Sequence, residues 1–404
     1  MQILEQAYAG TDIGFLTSRI RETLNDIRTK GIIQTKCGEC ITGYKNHELF
    51  DWDMYFENIF MSYFGPPDFM KNSVLTYLDL QEPSGFIPRT ARYVYNVVDP
   101  TKPFLAQSAM LYINQTGDTT WLCDDVVYRL ELYLEHWFDA YDNDGNGLCY
   151  YDGSYHSGMD NQVLRLGALE YCKSIEGVDL NCFLYRDLAA MSEIFARLGR
   201  DDRSRDYRGR AERLAARIND AFWCEGDGFY YDRDERDGKQ VRARSIAGFM
   251  PLWAGIATKA QADIMVRRHL LSEDEFWTPY PVATWARNEE GYFQKPEDSL
   301  KLCSWMGATW MPTNYMIFHS LTDYGYTGEA KYLAGKSCEL VLKNERTREF
   351  YDGEDGEGLG LDPFWGWSSL GYIMPLEHAL NYNPSSLVNR SVTPLGKKFF
   401  GISL

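Results

Sequence analysis

The chain of 404 residues carries 58 acidic against 41 basic side chains, a net charge of −17 that excludes the basic footprint required by nucleic acid and anionic membranes. Charged residues make up 25% and apolar ones 45%, the balance of a globular protein with a large core, and no apolar run approaches the ~18 residues of a membrane span. The outlying number is the aromatic fraction, 15% with 11 Trp and 28 Tyr, set beside Gly, Asp, Asn or Pro, where such rings either line a sugar-binding cavity or fill a large core.

Residues 1–45 read as an N-terminal segment and first helix of a single domain spanning 1–404. Met1 to Phe15 shows no basic region followed by an apolar stretch, so no signal peptide is expected. Nine cysteines without a framework fit a reducing, cytoplasmic setting. Cys37-Gly-Glu-Cys40 is the one CxxC, and it lacks the second half of a zinc ligand set. A turn is expected there, and no metal or cofactor.

Next comes Asn46-His-Glu-Leu-Phe-Asp-Trp-Asp53, continuing Met54-Tyr55-Phe56-Glu57, too acidic to read as the buried face of a helix, although Asp53 can cap a helix starting near Met54. Trp121 to Ala140 places Val126, Val127, Leu130, Tyr133, Leu134 and Trp137 at helical spacing. Asp142-Asn-Asp-Gly-Asn-Gly147 copies half of a calcium loop, but its twelfth position is Gly153, so a tight turn is expected. Tyr150-Tyr-Asp-Gly-Ser-Tyr-His-Ser-Gly-Met-Asp-Asn161 is a loop leading into an apolar helix. Further helices are expected at Leu180–Leu198, Ser204–Trp223, Ser245–Gly255, Lys259–Leu271, Ser304–Leu321, Glu329–Asn344 and Ser368–Leu380, with a hairpin-like piece at Gly228–Asp232. Two more loops stand out: Ser304-Trp-Met-Gly-Ala-Thr-Trp-Met-Pro-Thr-Asn-Tyr315 and the acidic, glycine-rich Arg348 to Trp367. Many helices, no linker and no short repeat suggest an all-α closed ring of helix pairs.

Cleaving a glycosidic bond needs one carboxyl group to protonate the leaving oxygen and a second to activate water or attack the anomeric carbon. Partial burial among aromatics raises a carboxyl's pKa, and glycine turns fix its direction. The loops offer such acids, although Gly-bounded acids also occur in plain turns and Asp160 is a good helix N-cap.

These residues resemble the family 63 glycoside hydrolases, especially the small bacterial members acting on mannosylglycerate and glucosylglycerate, and more distantly the family 37 trehalases. Trp52-Asp53-Met54-Tyr55-Phe56 matches the family's Trp-Asp-x-x-Phe, and Ser157-Gly158-Met159-Asp160-Asn161 matches its acid loop unchanged. Glu349-Phe350-Tyr351-Asp352 through Gly356-Glu357-Gly358 matches its base loop, followed by Phe364-Trp365-Gly366-Trp367-Ser368. Pro103-Phe-Leu-Ala-Gln107 and Pro251-Leu-Trp-Ala-Gly255 are further echoes. The resemblance covers residues 46–380 and implies an (α/α)6 barrel and an inverting hydrolase of a small α-linked glycoside. It implies Asp160 as general acid and Glu349 as general base, their carboxyls roughly 6.5–9.5 Å apart. It implies a substrate site from Trp52, Asp53, Tyr55, Gln107, His156, Asn161, Trp305, Trp310, Glu357, Trp365 and Trp367. Two departures stand out: Met306 occupies a position where the family has arginine, and Gln162-Val163 follows the acid loop in place of Ser-Pro. Losing that arginine favours a neutral aglycone, unless Arg89 or Arg165 supplies a charge. The alternatives are a sugar epimerase, which would work through histidine pairs, and a non-hydrolytic sugar-binding protein on the same toroid. The expected partner is a small carbohydrate; oligomeric state is not legible.

Overall fold

The computed structural model describes residues 2–44, 48–91, 99–167, 174–295, 303–388 and 395–404; Asn46 and His47 of the first motif lie outside these. Among the described residues, twelve helical segments form two concentric rings. The inner ring comprises Asp51–Phe64, Leu105–Thr116, Val178–Arg197, residues 246–253, Met311–Asp323 and Leu370–Leu380. Each packs on the next, and Leu370–Leu380 packs back on Asp51–Phe64, which closes the circle. The outer ring comprises Asp68–Asp79, Asp124–Ala140, Asp201–Phe222, residues 259–270 and Thr327–Lys343. Ile13–Asp26 completes it, held to the end of Thr327–Lys343 by Arg19, which donates to the Asn344 and Glu345 carbonyls. This is the all-α (α/α)6 barrel that the sequence implied.

The two rings have different sequence signatures for a simple reason. An outer helix faces water on one side, so it is amphipathic. Asp124–Ala140 buries Val126, Val127, Leu130, Tyr133, Leu134 and Trp137, the six residues picked out by periodicity. An inner helix is enclosed on every side and shows no stripe. All fourteen residues of Asp51–Phe64 are buried. The acidic stretch that reads as a poor core face is therefore a core helix, and it starts at Asp51 rather than near Met54. The expected helix Ser304–Leu321 is also shorter, beginning at Met311 with Pro312 in its first turn. Ahead of it the chain is extended, with Gly307 at φ 151° and Thr309 bridging both Ala283 and Tyr351.

The segments leading into the inner helices gather at one end of the ring and are knitted by short antiparallel strands. Gln240–Val241, Asp232–Asp234, Ile175–Glu176 and Tyr150–Tyr151 form one four-stranded sheet in that order. Phe350–Tyr351 pairs with Gly358–Leu359, and Leu49–Phe50 with Thr90–Ala91. The expected hairpin near Gly228 is present as Trp223–Cys224 against Phe229–Tyr230. Cys37 and Cys40 sit at the turn of another, Ile32–Thr35 with Gly38–Ile41. No described helix is long and apolar enough to cross a membrane.

Candidate active site

The first, third and fourth motif stretches meet through their aromatic rings. Trp52 lies 5.6 Å from Trp305 and 6.2 Å from Trp367. Trp305 stacks on Trp310 at 3.7 Å, and Trp310 on Phe350 at 4.6 Å. Each such pair is worth ~0.5–1.5 kcal/mol beyond its buried area, so the bed holds its loops firmly. Asn161 staples the acid loop to the third stretch: its Oδ1 accepts from the Trp305 N–H at 2.8 Å and its Nδ2 donates to the Cys303 carbonyl at 3.3 Å. Thr309 and Tyr351 exchange backbone hydrogen bonds of 2.8 and 3.0 Å, tying the third stretch to the fourth.

Asp160 is presented by a loop that runs from strand Tyr150–Tyr151 through the single turn Ser154–Ser157. Gly158 then reverses the chain at φ +80°, where a Cβ would press within 3.1–3.2 Å of Lys102 and Trp52. The Ser154 hydroxyl donates to the Asp160 carbonyl at 2.8 Å. The Asp160 side chain is 29% exposed, and its Oδ1 stands 3.7 Å from Nη2 of Arg89. The Cys303 thiol lies 3.9 Å from its other oxygen. Burial pushes the Asp160 pKa up, against the pull of Arg89 and Lys102 and with a push from Asp51.

Glu349 stands at the foot of the hairpin Phe350–Tyr351/Gly358–Leu359. Its Oε2 accepts from the Leu361 N–H at 2.8 Å, and its carbonyl accepts from the Trp367 indole at 2.8 Å. Gly360, at φ +73°, leaves room for the carboxyl: a Cβ there would sit 2.4 Å from Oε2. Burial raises the Glu349 pKa from 4.5 to about 7, opposed by the Leu361 hydrogen bond and assisted by the charge of Asp160. The Cys303 thiol feels the charge of both carboxylates, which adds to burial in pushing its pKa up. The neighbouring acids point elsewhere. Glu357, at the far end of the hairpin, is exposed and pairs with Lys295 at 2.7 Å; Asp355 does so at 2.9 Å, and Glu354 pairs with Arg287 at 3.0 Å.

Around these carboxyls lie further charges, of which Asp53 alone is expected at the substrate. Lys102 is fully buried and donates to Asp51 at 2.8 Å. Asp53, on the same helix turn, is held towards its neutral form by burial and by Asp51, with Lys102 and Arg89 opposing and Glu349 adding to the push. One turn on, Glu57 is buried with Oε1 unpartnered among the described residues, against Gly43 and Gly366. Burial and the nearby Asp53 hold it towards its neutral form too. Asp51 was visible as one of four acids in the first motif. Glu57 was another of those four, whereas Lys102 and Cys303 carry no local signal, because their importance comes from what the ring places opposite them.

Several residues expected at the substrate are committed to the protein instead. Gln107 donates to the Pro103 carbonyl at 2.8 Å and accepts from Arg186 at 2.8 Å. Tyr55 packs on Phe104, 5.1 Å away, in the core. His156 is buried flat against Trp137 at 5.5 Å and accepts from the Asp152 N–H at 3.1 Å. Trp310 and Trp365 donate their indole N–H groups to the Ser304 and Thr42 carbonyls, at 2.7 and 2.5 Å. Arg165 is locked in a buried network with Asp179 and Asp232 and offers no charge to the pocket. Arg89 alone of the two suggested arginines borders Asp160. The Asp142–Gly147 segment closes as a turn, with Asp142 accepting from the Gly147 N–H at 2.8 Å and Asp144 from that of Asn146 at 3.1 Å.

The closed ring of paired helices is a helical-toroid fold. The chain belongs to the family described as the mannosylglycerate hydrolase MGH1-like glycoside hydrolase domain, whose sequence model matches residues 46–368. It is 28% identical over 261 residues to the cytosolic neutral trehalase of Kluyveromyces lactis, covering 57% of this chain and 33% of the trehalase. It is 27% identical over 159 residues to a mannosylglycerate hydrolase of Thermus thermophilus, covering 37% of this chain and 34% of that one. These matches thus span about a third of the curated relatives' length. Among solved structures it resembles a Thermus thermophilus family 63 mannosylglycerate hydrolase in complex with glucose, with a TM-score of 0.68 at 18% identity, covering 88% of this chain and 98% of that one. It also resembles the neutral trehalase of Saccharomyces cerevisiae, with a TM-score of 0.60 at 17% identity, covering 90% and 79%.

Proposed function

We propose that the protein is an inverting hydrolase of a small α-glycoside, with Asp160 as general acid and Glu349 as general base. The observation that supports this best is the pair itself: two carboxyls from separate loops, each pushed up by burial and close enough for the charge of Asp160 to raise Glu349. Asp160 gives its proton to the leaving oxygen as the C–O bond breaks and its electron pair leaves on that oxygen. Glu349 takes a proton from a water whose oxygen bonds the anomeric carbon from the opposite face. Both groups must therefore start in opposite protonation states, which burial and unequal surroundings can arrange. Trp52, Trp305, Trp367 and Asp53 would meet the sugar, and Asn161 would act by holding the acid loop.

An epimerase reading finds little support. Among the described residues, His156, His269 and His319 are buried on internal partners, and none pairs with a second histidine at the pocket. A small aglycone fits the relatives' names, and one structure of the Thermus hydrolase is in complex with Tris and D-glycerate. A cytoplasmic setting agrees with the cytosolic trehalase among the relatives. The test is a panel of α-linked disaccharides and glycosylglycerates, with proton NMR of the first-formed product. Release of the β-anomer from one of them, lost in Asp160→Asn, is the expected result. Release of the α-anomer would replace inversion by a covalent intermediate, and turnover of none would remove the assignment.

A further inference from the structure

Helix Asp51–Phe64 holds a carboxyl that the hydrolytic step does not use. Glu57 stands one turn on from Asp53, on the same face, where side chains four apart lie about 5–6 Å from each other at Cβ. Asp53 is 7% exposed and Glu57 4%. Oε1 of Glu57 is buried without a hydrogen-bond partner among the described residues, and no described cation pairs with the group. An ionised carboxylate is too costly in such a place, and the group stays neutral instead. The fold nonetheless clears room for it. A Cβ at Gly366 would sit 2.7 Å from Oε1, and one at Gly43 would overlap it. The Gly43 carbonyl accepts from the N–H groups of Trp365 and Gly366 at 2.8 and 3.0 Å, which holds the two glycines together beside the carboxyl. A methionine would fill this slot without burying a polar group, so packing alone does not call for a glutamate.

Asp53 supplies the reason. Burial and Asp51 push its pKa up, while the charges of Lys102 and Arg89 pull it down. Glu57 feels burial and Asp53 and no such pull. One proton between the two therefore rests on Glu57 and leaves the charge on Asp53. The nearby cations do not orient that charge: Lys102 donates to Asp51 at 2.8 Å and Arg89 to the Tyr155 carbonyl at 2.6 Å. We propose that Glu57 is a positioning residue for the sugar: as the un-ionised acid it donates its proton to the Asp53 carboxylate and holds it turned towards the sugar hydroxyls. This rests on Asp53 meeting the sugar. The pair then acts as one anion with an internal hydrogen bond, and Asp53 faces the substrate already oriented. Two phenols lie near. Tyr77 spends its proton on the Leu49 and Arg89 carbonyls, at 3.0 and 3.2 Å. Tyr44 is the rival donor: it is kept neutral by burial first and then by the charges of Asp53, Glu48, Glu57 and Glu349.

The test has a spectroscopic half and a kinetic half. In the infrared, the difference between wild type and Glu57→Gln at pH 7 should contain a carboxylic-acid carbonyl band belonging to wild type. The kinetics use the glycosyl fluoride of the sugar selected by the panel, whose leaving group needs no proton, so Asp160 drops out of the comparison. Glu57→Met fills the slot but donates nothing. It should raise KM by about tenfold or more with kcat kept within about threefold, the split expected when ground and transition states lose the same contact. Gly43→Ala, whose Cβ displaces the Glu57 carboxyl, should raise KM in the same way. Glu57→Gln donates through its amide and should recover most of what Glu57→Met loses. Absence of the acid band would overturn the proposal. So would an unchanged KM in Glu57→Met or Gly43→Ala, which would hand the part to Tyr44, or a Glu57→Gln that falls as far as Glu57→Met. Wild-type KM and kcat in Asp53→Asn would instead overturn the assignment of Asp53 to the sugar.

Discussion

Glu349→Gln should make the protein less active and more stable, with the gain in stability switched on by pH. In the folded protein, burial raises the Glu349 pKa from its ordinary 4.5 to about 7. The folded state therefore binds this proton more tightly than the unfolded chain, and ionising the group costs folding free energy. Below pH ~4.5 the side chain is neutral in both states and the cost is absent. It grows between pH ~4.5 and ~7 and is complete above. A displacement of about 2.5 pH units at ~1.4 kcal/mol per unit gives ~3.5 kcal/mol as an upper figure. Glutamine carries no charge, yet its amide oxygen can still accept from the Leu361 N–H. The variant should thus gain up to ~3.5 kcal/mol over wild type at pH 8 and almost nothing at pH 4, read from urea unfolding across that range. Comparing the two proteins cancels the other buried carboxyls, which titrate in both. Turnover should drop by about 10²–10⁴-fold in the same variant. A stability difference that is flat with pH, or a variant less stable than wild type at pH 8, would show that Glu349 is not held in the environment described here.

Other substitutions separate the parts of the site. Glu357→Gln, at an exposed residue paired with Lys295, should change turnover less than about twofold and stability within ~0.5 kcal/mol; a loss equal to that of Glu349→Gln would move the base to Glu357. Gly360→Ala should push a Cβ into the Glu349 carboxyl and lower kcat by about 10²-fold with an unchanged circular dichroism spectrum, since small misplacements of a catalytic group cost that much. Normal kcat would mean that the loop yields freely. Arg165→Met strands Asp179 and Asp232 without their cation and should cost ~3–5 kcal/mol in urea unfolding. Its preference among aglycones should stay as in wild type, and a changed preference would return Arg165 to the pocket.

The sequence discloses the outer ring better than the inner one. Asp124–Ala140 and Asp201–Phe222 carry apolar stripes because one side meets water, and their buried residues can be read from spacing alone. Asp51–Phe64 and Leu105–Thr116 are enclosed all round, so no period marks them. Asp160 and Glu349 are singled out by motif alone, since local spacing makes Asp160 an equally good helix cap. Residues such as Gln107 and His156 carry the same motif signal but spend their polar atoms inside the protein, and sequence proximity to a catalytic residue does not distinguish the two fates. Arg89 and Lys102 reach the pocket from the connection between two helices, where only the closed ring sets them against Asp160 and Asp51.

The stacked indoles of Trp305 and Trp310, 3.7 Å apart and 12° from parallel, have a consequence for light as well as for packing. Two such chromophores at van der Waals distance share their electronic excitation, and their coupled transitions should yield a paired near-ultraviolet circular dichroism band that solitary, isotropically placed tryptophans do not produce. Trp52 rests against the same stack at 5.6 Å, so the band depends on two distant parts of the chain. The protein therefore carries a built-in optical gauge of its pocket, readable without a label and sensitive to any ligand that tilts one ring against the other.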